Sequence, residues 1–363
     1  MKYVDEFRNR RLIAKEASLI EAVVDRRWRF MEVCGTHTMS IFKFGLRQIL
    51  PDDIELLSGP GCPVCVTPNS YLDKAIAIAG EKNVIVTTFG DMLRVPGSRS
   101  TLEIQKASGC DIRIVYSTTD ALGIAEKNPA KEIVFLGVGF ETTTPTVAQS
   151  IIMAKKAGIR NYSVLSAHKT MPEALESLAD SGLNVDGFIL PGHVSAITGI
   201  GPYRSLAGIH HKRCVVAGFE PLDILQSIAI LVRQKPPKVE IQYKRIASAG
   251  GNRRARACIY RVFDKCDSVW RGIGNVADSG LKIKRAYSDF DAEARFRPKV
   301  SPPKENRSCR CGDVLKGLIS PRECRLFAKA CTPEHPVGAC MVSGEGACAA
   351  YYRYGNRSLG VKV

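Results

Sequence analysis

Eight short apolar runs, separated by stretches of helical period, constrain this chain more than any other feature. They are RFMEVC at 29–34, IELLS at 54–58, NVIVTTFG at 83–90, DIRIVYS at 111–117, EIVFLGVGF at 132–140, SVLSAH at 163–168, GFILPG at 187–192 and CVVAGF at 214–219. Short runs of this kind, bounded by Gly, Pro and polar clusters, read as strands buried on both faces. Helices between them return the chain so that the strands lie parallel. The spacing predicts an α/β fold with two small doubly wound parallel-sheet domains and a C-terminal, mainly helical region. Phe7, Leu12, Ile13, Leu19, Ile20 and Val23 share one face of an opening helix. Domain I is expected at 1–125, domain II at 126–234 and the third region at 235–363. KPPK at 235–238 reads as a linker, SPPKENRS at 301–308 as a spacer, and DSG at 278–280 as a hairpin turn.

The chemistry-bearing residues fall where such a fold would use them. CGTHT follows the first strand, GPGCPVC the second, TFGDMLRVPG the third, GFETTTP the fifth, PGHVSAITG the seventh and GFEPLD the eighth. Ligands of open α/β sheets sit at the carboxyl ends of strands, so these loops should gather on one edge of each sheet. Turn formation explains their glycines and prolines but not the added Cys, His, Asp, Glu and Thr. Cys34 ends a strand with a helix beginning near Thr36 or Thr38. Free backbone N–H groups and the helix dipole should lower its pKa, with His37 beside it to assist or to bind the same metal. Cys62 and Cys65 have the spacing of a redox dithiol or of a zinc half-site. Asp91 and Arg94 could move protons or orient a ligand, although Asp91 alone reads as a helix N-cap. Glu141, Thr142, Thr143 and Thr144 read as capping residues, and His168 and His193 end strands in the same manner.

Bulk properties narrow the class. The N-terminus lacks an uninterrupted apolar segment and no later stretch approaches about 18 uncharged apolar residues, so a cytoplasmic protein without membrane contact is expected. Thirteen cysteines in that compartment point to metal or redox work rather than to a disulfide framework. Of the net charge of +16, much is local: residues 233–299 hold 17 Lys and Arg against 7 Asp and Glu. No helix-turn-helix, zinc-finger or RNA-recognition signature accompanies it, so this segment reads as a solvated face or a docking surface for an acidic partner, not as a nucleic-acid site. There is no GxxxxGK[ST] loop, and LGVGFETT carries only part of a dinucleotide fingerprint, which disfavours ATP and NAD.

The tail from Cys309 to Cys348 holds six thiols: Cys309, Cys311, Cys324, Cys331, Cys340 and Cys348. Irregularly spaced thiolates across helices and loops suit an iron–sulfur cluster, which takes four Cys ligands from whatever elements meet there. Structural zinc usually takes pairs two to four residues apart, and the only close pair, Cys309 and Cys311, has one residue between. Zinc and plain thiols stay open as alternatives. Spacing alone does not choose four ligands from six.

Together, CGTHTM, GPGCPVC, TFGDMLRVPG, GFETTTP, PGHVSAITG, GFEPLDIL and GACMVSGEGAC resemble, in order and over nearly the whole chain, the HypD hydrogenase maturation proteins. The resemblance implies a protein that helps build the Fe(CN)2CO unit of [NiFe]-hydrogenase. In it, a complex with the HypC chaperone holds iron, HypE donates cyanide from a thiocarboxamide, and CO is added. It makes Cys34 the iron-binding thiolate with His37 beside it, Cys62 and Cys65 the redox dithiol that cycles or shares the iron, and Asp91 the acidic loop residue. The family's [4Fe-4S] ligands, spaced by 12, 6 and 16 residues, fall on Cys311, Cys324, Cys331 and Cys348. Cys309 and Cys340 are left outside as neighbouring thiols or a possible disulfide. VSGEGAC departs from the family in lacking a second serine before its Glu. Cys110, Cys214, Cys258 and Cys266 match no motif and read as ordinary buried residues. The expected role is a redox-active metallocentre assembly protein in which the cluster feeds electrons to Cys62 and Cys65, as in ferredoxin-dependent thioredoxin reductases. The alternative is an iron-carrying scaffold without redox turnover.

Overall fold

The computed structural model of the chain describes residues 2 and 4–355. Each of the eight runs carries all or most of a strand: β1 (Trp28–Glu32), β2 (Ile54–Ser58), β3 (Val84–Thr88), β4 (Ile112–Ile114), β5 (Glu132–Gly137), β6 (Tyr162–Ser166), β7 (Gly187–Pro191) and β8 (Arg213–Ala217). A short β9 (Val239–Ile241) and a hairpin of β10 (Phe263–Trp270) and β11 (Gly274–Ile283) follow. One parallel sheet has the order β2-β1-β7-β8-β9, and a second has the order β4-β3-β5-β6. In each, later strands add on the other side of the first strand from the second, which opens a crevice at the β1/β7 and β3/β5 switch points.

Both faces of both sheets are covered, as the continuous apolar runs require. Along the first sheet Met31, Phe188, Leu190 and Val216 enter one core, while Phe30, Ile189, Val215 and Ala217 enter the other. In the second sheet Val86, Val134 and Leu136 alternate with Ile85, Ile133 and Phe135 in the same way. Burial of each large apolar side chain contributes about 1.5–3 kcal/mol. The opening helix, Arg10–Glu21, is capped by the Asn9 side chain and buries Ile20, while Leu12 and Leu19 of the expected face stay exposed.

Three expectations need correction. First, the chain does not divide at 125, because β7, β8 and β9 return to pair with β1 while β3–β6 form the sheet inserted between. Residue 125 lies inside the helix Thr118–Lys127 of the second sheet's unit. Apolar periodicity fixes where strands are but says nothing about which strands pair. Second, residues from 235 on do not stand apart. β9 extends the first sheet, and the hairpin docks at β6, where the Leu281 amide donates to the His168 carbonyl and the Thr170 amide to the Ser279 carbonyl. Third, the hairpin turns at 271–273, and DSG lies within β11. Asp278 there takes a left-handed φ of 52° opposite the irregularity between Cys266 and Ser268. The turn-prone sequence marks a bulge, where an unpaired residue needs the same backbone freedom as a turn. The tail is built from short helices, Cys311–Leu315, Ala339–Val342 and Ala347–Tyr354, joined by turns.

Candidate functional site

The loops after β2, β1, β7 and β8 gather along one edge of the first sheet, because all four strands run the same way. Cys34 leaves β1 with extended backbone (φ −148°, ψ 125°) and stands as N-cap of the helix Gly35–Lys43. The next loop lies directly on it. The Gly35 amide donates to the Gly61 carbonyl at 3.1 Å, and a Cβ on Gly61 would stand 2.3 Å from the Cys34 amide nitrogen. A Cβ on Gly59 would instead meet the Met31 and Val33 side chains at 2.8–2.9 Å. Gly61 therefore serves close approach between two backbones, and Gly59 leaves room for side chains of the first strand and its loop.

Cys62 caps the short helix Pro63–Val66 and accepts the Cys65 N–H on its sulfur at 3.3 Å. Both cysteines are buried. Cys65 Sγ lies 3.9 Å from the Ala339 carbonyl oxygen and beside Cys340. Cys340 Sγ is 2.7 Å from Cys311 Sγ and also neighbours Cys348, while Cys309 neighbours Cys311. Cys331 accepts the Val337 N–H at 3.3 Å and lies within electrostatic reach of Cys348 and Cys309. Cys324 follows the turn Pro321–Glu323, buried and near Arg310. The CxxC pair and the tail thiols are thus contiguous. The tail also reaches Cys34: Thr36 Oγ1 donates to Glu345 Oε1 at 2.7 Å, and Gly35 packs against Glu345.

The electrostatics differ from the helix-dipole expectation. Burial, reinforced by the Glu345 carboxylate, pushes the Cys34 thiol up to about 11, outweighing the backbone N–H groups of Thr36 and His37 that favour the thiolate. A bound cation would reverse that balance, since a coordinated thiol is deprotonated outright. Burial lowers His37 to about 4, so its ring is neutral at pH 7. Its Nε2 bonds the Gly218 carbonyl at 2.9 Å, its ring stacks on Phe219, and its Nδ1 is buried without a partner. With Nε2–H donating, Nδ1 keeps a free lone pair. No hydrogen bond joins the imidazole to the Cys34 sulfur among the described residues.

Asp91 does not join this group. It is exposed in the turn Gly90–Arg94, whose N-cap is Phe89, and among the described residues it makes no hydrogen bond or ion pair. Its neighbour Arg94 donates to the Pro333 carbonyl of the tail at 2.9 Å. Glu141 is buried at the end of the β5 loop and accepts the Met171 amide at 3.1 Å, and burial raises it to about 8. Burial lowers His168 to about 3, and its Nδ1 bonds Ser166 Oγ at 2.9 Å, a structural tie. His193 is exposed and rests on Phe219 and Tyr243. Of the cysteines outside the motifs, Cys214 is buried, whereas Cys110, Cys258 and Cys266 keep partial exposure.

Glu345, Cys340 and Cys309 are site residues that sequence reasoning set aside. The signal for Glu345 was its position between Gly344 and Gly346, glycines that permit close approach. Among the described residues no three His, Cys, Asp or Glu side chains converge on a single point, as one tetrahedral ion requires. The donor type is all sulfur, which suits a polynuclear group whose ligands bind separate irons. Within that set Cys311 and Cys340 are too close to serve two irons, so only one of the two can belong to it.

Residues 10–355 match the family described as HypD, Hydrogenase formation hypA family. The chain is 46% identical over 371 residues to a hydrogenase maturation factor HypD of Rhodobacter capsulatus, covering 98% of each. It is 45% identical over 368 residues to the protein of the same name from Escherichia coli, again covering 98% of each. To a hydrogenase expression/formation protein HupD of Azotobacter chroococcum it is 46% identical over 377 residues, the full length of both. No helix among the described residues is long and apolar enough to cross a membrane.

Proposed function

The chain belongs to the HypD family of hydrogenase maturation factors, and from that premise we propose that it is a redox-active assembly protein for the Fe(CN)2CO unit of [NiFe]-hydrogenase. With HypC it holds an iron cargo at Cys34, receives cyanide from HypE and acquires CO. One observation carries the reading: Cys34, the Cys62/Cys65 pair and the tail thiols form an unbroken locus at one sheet edge.

Each residue has a physical task. Cys34 binds the cargo as thiolate, the Thr36 and His37 amides stabilise that charge, and Glu345 holds Thr36. Cys311, Cys324, Cys331 and Cys348, the positions that match the family's spacing, would hold a [4Fe-4S] group, which supplies single electrons when bound. Cys340, with its sulfur 2.7 Å from that of Cys311 and beside Cys65, stands between this set and the CxxC pair. Reduction of a Cys62–Cys65 disulfide to two thiols takes up two electrons and two protons, and such a group would deliver the electrons one at a time.

Two substitutions test the assignment in protein purified without oxygen. Cys311→Ser should lose the iron–sulfur absorption while Cys309→Ser keeps it; the opposite pattern overturns it. Cys34→Ala should abolish iron–cyanide infrared bands in the HypC complex, and bands of normal intensity refute its role. A Cys62→Ser protein that keeps the cluster and full maturation activity supports the non-redox scaffold.

A further inference from the structure

The turn of the hairpin carries Arg271, 8% exposed, whose backbone amide donates to the Val66 carbonyl at 2.8 Å and whose Nε donates to the Thr67 carbonyl at 2.9 Å. These carbonyls close the helix that begins at Cys62. The adjoining Gly272 has a left-handed φ of 78°, and a Cβ there would stand 2.3 Å from Gly312 Cα, one residue from Cys311. The turn is therefore wedged between the CxxC helix and the tail cysteines.

Arg271 has no carboxylate partner among the described residues, and its Nη2 is buried without an acceptor. Together with Cys309 and Cys311, Arg271 lines a cavity of about 490 Å³. The other charged groups on that wall are Arg99, Lys304 and Glu305; Glu305 is exposed and pairs with no cation among the described residues. Asn69, also on the wall and buried, donates through Nδ2 to the Lys304 carbonyl and leaves Oδ1 unpartnered. A buried guanidinium without a counter-charge is strongly unfavourable, so the site is built for negative charge. Cys309 and Cys311 on the same wall supply it when ionised.

We propose that Arg271 is a positioning residue that ties the CxxC helix to the tail and supplies the buried positive charge that offsets the thiolates holding the [4Fe-4S] group. The inference rests on the cluster reading given above. A fixed positive charge stabilises the more negative, reduced state and so raises the reduction potential. Because it is buried, salt screens it little.

The test uses full-length Arg271→Gln, Arg271→Lys and Asn69→Asp proteins purified without oxygen. Iron and sulfide per chain are measured together with the cluster midpoint, followed by electron paramagnetic resonance. Arg271→Gln should keep wild-type iron and sulfide with a midpoint moved to more negative potential at low and high salt. Arg271→Lys, which loses the forked hydrogen bond but keeps the charge, should stay near wild type. Asn69→Asp, which places a carboxylate on the same cavity and leaves Arg271 in place, should move the midpoint in the same direction as Arg271→Gln, and it decides the matter should Arg271→Gln not fold. An unchanged midpoint in the charge-altering variants, or Arg271→Lys shifting as far as Arg271→Gln, overturns the inference. A wild-type chain that binds no iron and sulfide overturns the cluster reading itself, and this inference with it.

Discussion

Substituting Gly61 by Ala tests the claim that the second loop lies on the backbone of the first. The added Cβ would stand 2.3 Å from the Cys34 amide nitrogen, 2.4 Å from its Cα and 2.6 Å from its carbonyl carbon, where ordinary contact begins at 3.4 Å. All three are backbone atoms, so no side chain can turn aside and the loops must part by about 1 Å. Overpacking of this kind costs about 1–3 kcal/mol. Parting the loops also weakens the 3.1 Å bond from the Gly35 amide to the Gly61 carbonyl, which contributes about 1 kcal/mol. The sum is about 2–4 kcal/mol, read as a lower urea midpoint with unchanged slope. Since burial is the main cause of the high Cys34 pKa, opening the loops should also speed its reaction with a thiol reagent at pH 8. Gly123, in the helix Thr118–Lys127 with nothing near its Cβ position, is the control: Ala there should stabilise by about 0.5–1 kcal/mol. A Gly61→Ala protein with the wild-type midpoint and unchanged Cys34 reactivity would refute the argument.

Other consequences follow from the buried charges. Glu141 has its pKa raised from 4.5 to about 8, so between those values the unfolded chain releases a proton that the fold retains, and stability falls as pH rises. The stability gap between Glu141→Gln and wild type should widen in favour of the variant by about 1.4 kcal/mol per pH unit over that window, and a pH-independent gap in urea unfolding contradicts the burial argument. Asp223 is fully buried and receives both guanidinium nitrogens of Arg245 together with Gln242. Asp223→Ala strands the cation, and chemical denaturation should show a loss of about 3–5 kcal/mol. Glu345→Gln keeps an acceptor for Thr36 while removing the second cause of the high Cys34 pKa, so alkylation of Cys34 in metal-free protein at pH 8 should quicken. An unchanged rate would show that burial alone sets it.

Much of the fold was legible because parallel strands covered on both faces must be continuously apolar. NVIVTTFG and EIVFLGVGF could hardly be read otherwise, and both became central strands. The opening helix was legible from its period, while the exposure of Leu12 and Leu19 was not, since period gives a face but not the width of what covers it. GPGCPVC announced a loop with two thiols. That Gly61 seats the loop on the Cys34 backbone required the neighbour to be known.

The sequence by itself determined the α/β class, the strands and the loops that carry chemistry, because these follow from local pattern and strand polarity. Only the tertiary structure decided that β7 returns to β1, that Glu345 reaches Thr36 across 309 residues, that Cys340 contacts Cys311, and that Asp91 is exposed. The physical reason is the same in each case. Side-chain period and loop composition are short-range quantities, whereas strand pairing and sulfur contacts depend on which distant surfaces exclude water together.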